Sequence, residues 1–200
     1  MLPIVLASAS PRRRELLLAA GVRFEILPAD VDEELAPRGD PEPVARELAL
    51  RKARATAARI ATSDPQRECL VLGADTVVAV PHADCGAPRL LAKPEDEREA
   101  AAMLALISGT RHAVVTGLAV VRLPSGAEHV ASERTWVHMR AITHAERQAY
   151  VASGEWRGKA GGYAIQESAD RFVTALEGGG FDNVVGLPVG LALELLERAE

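Results

Sequence analysis

Two serines and three consecutive arginines follow the first apolar stretch of the chain, in the segment Ser8-Ala9-Ser10-Pro11-Arg12-Arg13-Arg14. Ser10-Pro11 predicts the start of a helix, with serine at the N-cap and proline in the first helical position. A helix N-terminus offers free N–H groups and a positive dipole end, and arginine can bind phosphate through two hydrogen bonds. Cations at this end oppose the dipole, so the three arginines favour a phosphate site at Ser8, Arg12 and Arg13 over a solvated basic turn.

A lysine lies on the apolar face of the next predicted helix, which opens at Asp40-Pro41. On a helical wheel, Lys52 shares its arc with valine, leucine and alanine side chains. A lysine in this position either extends its ammonium group past the apolar face into solvent or binds an anion, and the pattern leaves both readings open. Lys93 lies between an apolar strand and the helix predicted to begin at Pro94, and it is a weaker candidate for a cation that faces a cleft.

A carboxylate interrupts a strongly apolar run, because Asp75 lies inside the predicted strand 69–80 with apolar residues on both sides. An unpaired carboxylate is costly to bury, so we expect Asp75 to meet a metal or a cation or to act in catalysis. The alternative is a strand end where the aspartate caps a turn. The acidic loop 30–40 adds Glu33. Cations and carboxylates in one cleft predict a metal–polyphosphate site, where cations hold phosphate oxygens and carboxylates hold Mg²⁺ or activate water.

A glycine-rich segment from Gly154 to Gly162 contains four glycines. Such a segment is typical of close backbone approach to a ligand or of a mobile lid, and an ordinary long turn is the alternative. It is not a P-loop, because Gly158-Lys159 is followed by alanine and the preceding glycine stands too close. The sequence also has no GxGxxG dinucleotide motif and no histidine and cysteine spacing that suits zinc.

These candidates require a scaffold of strands and helices, which the hydrophobic periodicity predicts. Strands are predicted over residues 3–7, 24–27, 69–80, 111–123, 127–140 and 163–176. Helices are predicted over 11–20, 41–61, 94–107 and 144–153, with a last one starting at Leu187-Pro188. Thr143-His144-Ala145-Glu146 is a capping box for the fourth of these helices. The mixture predicts an α/β protein with both parallel and antiparallel strand pairs.

Length and composition exclude several classes. The chain has 200 residues, 48% hydrophobic and 26% charged, which is ordinary for one soluble globular domain spanning 1–200. A net charge of −5 argues against a nucleic-acid polymer as partner. No apolar run reaches the ~18 residues of a membrane span, and the order of charges at the N-terminus does not suit a signal peptide. Cys69 and Cys85, without a CxxC, favour a reducing, cytoplasmic location.

Taken together in order and spacing, the motifs of this chain resemble the Maf family of nucleoside triphosphate pyrophosphatases. The motifs are LASASPRR, VDE, LALRKA, GADTVV, AKPEDEREA, HAVVTG, GEWRGKAGGYAIQ and NVVGLP. The resemblance implies hydrolysis of a nucleoside triphosphate to the monophosphate and pyrophosphate with a divalent metal, Mg²⁺ or Mn²⁺. It also implies an elongated mixed sheet flanked by helices, two lobes around a deep cleft, and a possible homodimer.

The same resemblance implies roles for single residues. Asp75 would be the proton acceptor that activates water, and Glu33 would hold the metal together with it. Triphosphate binding would fall to Ser8, Arg13, Lys52 and Lys93. Base preference would fall to Arg12, Thr76 and Gln166.

Base preference is expected to follow the branch of the family that acts on dTTP and UTP. That branch is similar to this chain in SPRR, ADT and KAGxYxIQ, whereas the branch acting on 7-methyl-GTP has SPYR, SDQ and CAGSF. The chain departs from the pattern at Glu167, where glycine is usual, and at Gly179. Two alternatives stay open: a different base preference, for modified or purine nucleotides, and a regulatory nucleotide-binding protein that affects cell division.

Overall fold

The computed structural model describes residues 2–31, 39–81 and 86–200. The strands are β1 (Ile4–Leu6), β2 (Phe24–Ile26), β3 (Cys69–Val80), β4 (Arg89–Leu91), β5 (Arg111–Leu123), β6 (Glu128–Met139) and β7 (Val173–Glu177). The helices are α1 (Pro11–Ala19), α2 (Pro41–Ser63), α3 (Glu97–Ile107), α4 (His144–Ser153), α5 (Phe181–Val185) and α6 (Val189–Arg198). Two short 3₁₀ turns, Ala160–Gly162 and Ser168–Phe172, lie between α4 and β7.

One mixed sheet of seven strands contains every strand of the described residues, in the order β2-β1-β3-β5-β6-β7 with β4 paired to β3. β1 is parallel to both of its neighbours, and the other pairs are antiparallel. The predicted α/β class, a mixed sheet flanked by helices, is therefore confirmed. No helix in the described ranges is long and apolar enough to cross a membrane.

The central strands are apolar on both faces because helices cover both sides of the sheet. On one face, Leu70 and Leu72 of β3 share a buried cluster with Leu17 of α1 and Leu195 of α6. On the other face, Val71 is buried against the alanines of α2. This two-sided burial explains why the long apolar runs 69–80 and 111–123 predicted their strands with the observed bounds.

α2 lies directly on the sheet because two glycines leave room for its backbone. A Cβ at Gly73 would lie 2.3 Å from the carbonyl oxygen of Ala49, and one at Gly117 would lie 2.2 Å from that of Ala45. Real Cβ atoms do not approach that closely, so glycine is required at both positions. This approach brings the buried stripe of α2 against the middle of β3.

Several local predictions are corrected by the structure. The strand predicted over 163–176 is wrong over its first ten residues, and only Val173–Glu177 joins the sheet. The apolar side chains that suggested a strand, such as Ile165, are instead buried in a core cluster. Polar groups of this segment find partners outside the sheet: the hydroxyl group of Tyr163 hydrogen-bonds to His112 at 2.9 Å, and the N–H of Ala164 donates to the hydroxyl group of Tyr150 at 3.0 Å. α3 begins at Glu97 rather than Pro94, since Asp96 caps it by accepting from the N–H of Glu99.

Two short elements, β4 and α5, were not predicted, and the capping box at Thr143 is confirmed. α5 has only five residues, which is too short for helical periodicity to be visible in sequence.

Candidate active site

A cleft of about 450 Å³ lies where β1 runs into α1, beside the middle of β3 and the segment after α4. Every predicted site residue that the structure describes lines this cleft: Ser8, Arg12, Arg13, Lys52, Asp75, Thr76, Lys93 and Gln166. Glu33, predicted as a metal ligand, lies outside the described residues. Residues from widely separated parts of the sequence therefore meet in one place.

The floor of the cleft holds a buried ion pair between a helix and a strand. The Lys52 ammonium group lies 2.5 Å from a carboxylate oxygen of Asp75, and the two side chains are 7% and 9% exposed. Lys52 belongs to the buried stripe of α2, so its side chain does not extend past the apolar face into solvent. Asp75 lies in the middle of β3 opposite Gly117, which excludes the alternative of a strand-end cap. Each charge is tolerated there because the other compensates it.

Among the described residues, three different acceptors hold Arg13 at the N-terminus of α1. Its guanidinium group donates to the hydroxyl group of Ser8 at 3.2 Å, to that of Thr76 at 3.1 Å and to the carbonyl oxygen of Gly186 at 2.8 Å. The Ser8 hydroxyl group also accepts from the N–H of Ser10 at 3.3 Å. A buried cation is thus fixed in position beside the first turn of the helix, where it adds to the positive potential of the helix end.

A buried chain of hydroxyl and amide groups supports Thr76 from behind. The hydroxyl oxygens of Thr76 and Thr116 lie 3.0 Å apart, and Thr116 donates to the carbonyl oxygen of Asn183 at 2.9 Å. The side-chain amide of Asn183 donates in turn to Val114 and Thr135. This series of hydrogen bonds links β3, β5, β6 and α5. The cleft wall that these elements form is therefore fixed by hydrogen bonds as well as by packing.

The rim of the cleft is more exposed. Arg12 is half-buried, and Lys93 and Gln166 are exposed. Burial lowers the pKa of the Arg12 guanidinium group, while the nearby carboxylates of Glu167 and Glu15 oppose that shift. Arginine starts from such a high pKa that it stays charged at neutral pH. The rim therefore presents cationic and amide donors to a ligand.

Sequence reasoning left two parts of the cleft unassigned. Arg157 and Lys159, from the glycine-rich segment, line it as further cations. An apolar wall is formed by Val78, Val114, Tyr163, Ile165, Val184 and Val185. The sequence did carry a signal for these cations, because Lys159 lies in the glycine-rich segment, which is typical of close approach to a ligand. The valines of NVVGLP carried none, because short apolar runs are ordinary core sequence.

Chemically, the described part of the cleft combines cations, the buried carboxylate of Asp75 and an apolar wall. Cations match the oxygens of phosphate groups, and an apolar wall matches the face of an aromatic ring. Within 2–31, 39–81 and 86–200 there is no cluster of three or more histidine, cysteine, aspartate or glutamate side chains that could bind a metal without the help of a ligand. The fold and the cleft define an α/β protein whose site has the chemistry to bind an anionic, ring-containing ligand of nucleotide type.

This chain belongs to the family of Maf-like proteins, whose profile matches residues 3–199. A dTTP/UTP pyrophosphatase of Moorella thermoacetica is 46% identical over 98% of this chain and 94% of its own length. Proteins of the same name from Pelotomaculum thermopropionicum and Hyphomonas neptunium are 43% and 46% identical, over 99% and 98% of this chain and 97% and 94% of their own. A solved nucleoside-triphosphatase / dITP/XTP pyrophosphatase of Mycobacterium abscessus aligns with 70% of this chain and 74% of its own at 20% identity, with a TM-score of 0.37.

Proposed function

We propose that this protein hydrolyses dTTP and UTP to the corresponding monophosphate and pyrophosphate. The observation that carries the proposal is the buried pair of Lys52 and Asp75 at the floor of a cation-lined cleft. Relatives more than 40% identical over nearly the whole chain carry the name dTTP/UTP pyrophosphatase, which supports the same substrates here.

In the proposed reaction, Asp75 accepts a proton from the attacking water. The water oxygen bonds to phosphorus as the bridging oxygen between the α- and β-phosphates leaves, so the products are a nucleoside monophosphate and pyrophosphate. Lys52 has two roles: it compensates the Asp75 carboxylate in the free protein, and it can bind phosphate oxygens once the substrate enters. Ser8, Arg13 and Lys93 add donors and positive charge along the polyphosphate.

For the base, the proposal uses Arg12, Thr76 and Gln166. A guanidinium donor, a hydroxyl group and an amide can hydrogen-bond the imide edge of uracil or thymine, and the apolar wall can pack against the ring. Thymine differs from uracil by one methyl group, which changes binding in a pocket by at most ~1–3 kcal/mol. Both dTTP and UTP are therefore expected to be substrates.

A divalent cation, Mg²⁺ or Mn²⁺, is part of the proposal. Magnesium is commonly held by one or two carboxylates together with phosphate oxygens of the substrate, and Asp75 supplies a carboxylate oxygen at the cleft floor. This donor set fits the ion, with Glu33 proposed as the second carboxylate. When bound, the cation would neutralise negative charge on the phosphates.

The proposal also covers the whole molecule. We treat residues 1–200 as a single domain, which is supported by one sheet that extends from β2 to β7 and by a family match over nearly the full length. We place the protein in the cytoplasm, where its nucleotide substrates are, and expect a homodimer. Light scattering on the purified protein tests the oligomeric state.

The proposal is tested by identifying the products formed from UTP with Mg²⁺ or Mn²⁺. Equal amounts of UMP and pyrophosphate are expected. UDP with orthophosphate would mean that a different bond is cleaved. Tight UTP binding without turnover would instead favour a regulatory nucleotide-binding protein, and turnover confined to purine triphosphates would favour the alternative base preference.

A further inference from the structure

Glu167 lies beside several side chains that line the cleft. Its carboxylate accepts a hydrogen bond from the side-chain nitrogen of Gln166 at 3.4 Å and lies 3.1 Å from the ammonium group of Lys159. It also interacts electrostatically with Arg12. One acidic side chain therefore contacts or influences the amide and the two cations at this end of the rim.

The ammonium group of Lys159 holds the Glu167 carboxylate in place. Lys159 is only 11% exposed, and its ammonium group also donates to the carbonyl oxygen of Glu155. Both oxygens of Glu167 lie within reach of this ammonium group, at 3.1 and 3.3 Å. A carboxylate that is held by a nearly buried cation keeps its place while the exposed Gln166 side chain packs beside it.

This arrangement fixes which end of the Gln166 amide is available to a ligand. An ionised carboxylate can only accept hydrogen bonds, so the amide end that faces Glu167 must be the NH₂ group. The carbonyl oxygen then lies on the side of the amide away from Glu167 and can accept from another partner, while the NH₂ group keeps a second N–H. Within the part of the chain that the structure describes, the bond to Glu167 is the one hydrogen bond of the Gln166 side chain.

We propose that Glu167 is a positioning residue that makes Gln166 present its carbonyl oxygen to the base, and so selects uracil and thymine against cytosine. The inference rests on the proposed function, since it assumes a pyrimidine nucleotide in this cleft. Uracil and thymine carry a donor at N3 between two carbonyl groups, whereas cytosine carries an acceptor at N3. The Gln166 oxygen matches the N3–H of the first two, Arg12 can donate to a flanking carbonyl group, and cytosine places two acceptors face to face.

The test compares Glu167→Gln, Glu167→Asp and the wild-type protein. Glutamine at 167 can both donate and accept, so it no longer enforces the orientation of Gln166, whereas aspartate remains an acceptor only. We expect Glu167→Gln to lower the ratio of kcat/KM for UTP over CTP about tenfold, the value of one ordinary hydrogen bond. Glu167→Asp should retain more of the ratio than Glu167→Gln, although glutamine matches the size of glutamate better.

Calorimetry with the non-hydrolysable α,β-methylene analogues of UTP and CTP measures the same discrimination without turnover. The matched control is Asp170→Asn, which removes an exposed negative charge three residues further along. It should leave both ratios unchanged.

Three results would overturn the role of Glu167. The first is that Glu167→Gln leaves the binding ratio of the UTP analogue over the CTP analogue unchanged. The second is that the wild-type protein does not prefer the uridine nucleotide, and the third is that Glu167→Gln keeps more of the UTP over CTP ratio than Glu167→Asp does. Loss of the proposed function would be recognised separately, as absence of pyrophosphate release from every nucleotide.

Discussion

At the scale of single residues, the central feature is that Asp75 and Lys52 are both buried and lie 2.5 Å apart. Removing one member of such a pair leaves an uncompensated charge, which is more costly than replacing both. Substitutions here therefore need a measurement of folding beside every measurement of activity.

We predict that Asp75→Asn lowers kcat for pyrophosphate release from UTP about 10²-fold or more, the usual scale for loss of a general base. Asparagine keeps an oxygen that can accept from Lys52, so circular dichroism should show a native fold. Asp170→Asn is the matched control, because it makes the same aspartate-to-asparagine change at an exposed position. Turnover near the wild-type level in Asp75→Asn would rule out Asp75 as the proton acceptor.

The lysines should distinguish triphosphate from monophosphate. Lys52→Gln and Lys93→Gln are each expected to weaken binding of a non-hydrolysable triphosphate more than binding of the monophosphate, since the lost contacts are to the outer phosphates. Lys93 is the cleaner test because it is exposed, and exposed Arg98→Gln on α3 is its control. Calorimetry with both ligands measures the effect. Equal losses for the two ligands would mean that these lysines do not bind the polyphosphate.

At the scale of elements, the position of α2 on the sheet sets the site, because Lys52 reaches Asp75 only if the helix lies directly on β3 and β5. Gly117 stands opposite Asp75 in the sheet and has the backbone of α2 against it. The geometry of the ion pair thus depends on a residue without a side chain.

Gly117→Ala should push α2 away from the sheet. Overpacking of a core costs about 1–3 kcal/mol, and contact with rigid backbone places this site at or above the upper end. We expect a lower free energy of unfolding in urea and a lower kcat. Gly190→Ala is the matched control, since that position in α6 has no atom within 4 Å of an added Cβ. If Gly117→Ala behaves like Gly190→Ala, α2 does not require the close approach.

Sequence reasoning worked where one residue pattern has one physical meaning. The apolar runs of β3 and β5 and the capping box at Thr143 belong to this kind. The lysine inside an apolar stripe had two meanings, and the burial of Lys52 in the structure separates them. It failed over 163–172, where apolar side chains are buried in a hydrophobic cluster without strand pairing and the N–H of Ala164 donates to Tyr150 instead of to a neighbouring strand. That Lys159 and Glu167 meet at the rim depends on the path of an irregular segment, which local propensity does not encode.

At the scale of the whole molecule, stability should depend on pH through a buried histidine in the core beside the cleft. His112 is fully buried and shares a hydrogen bond of 2.9 Å with Tyr163. Burial, with a smaller contribution from the charge of His138, lowers the pKa of His112 to about 4. In the unfolded chain this pKa returns to about 6.5, so between these values the unfolded state takes up a proton that the folded state refuses.

The contribution of His112 to the free energy of unfolding is therefore complete above pH 6.5. It falls as the pH drops toward 4 and changes no further below that. Its full size is about 3 kcal/mol, from a difference of roughly 2.5 in pKa. Urea unfolding at pH 7.5 and pH 4.5 should show a smaller loss of stability for His112→Gln than for the wild-type protein. Equal losses in the two proteins would show that His112 takes up its proton equally in both states.

The account as a whole is tested most directly by kcat/KM for pyrophosphate release from dTTP, UTP and 7-methyl-GTP under one set of conditions. Arg12, Thr76 and Gln166 match the compact imide edge of a pyrimidine, while 7-methylguanine is larger and positively charged and would meet Arg12 at the rim. The predicted result is that dTTP and UTP both exceed 7-methyl-GTP. The account would be contradicted if 7-methyl-GTP were the best substrate of the three, or if none of them released pyrophosphate.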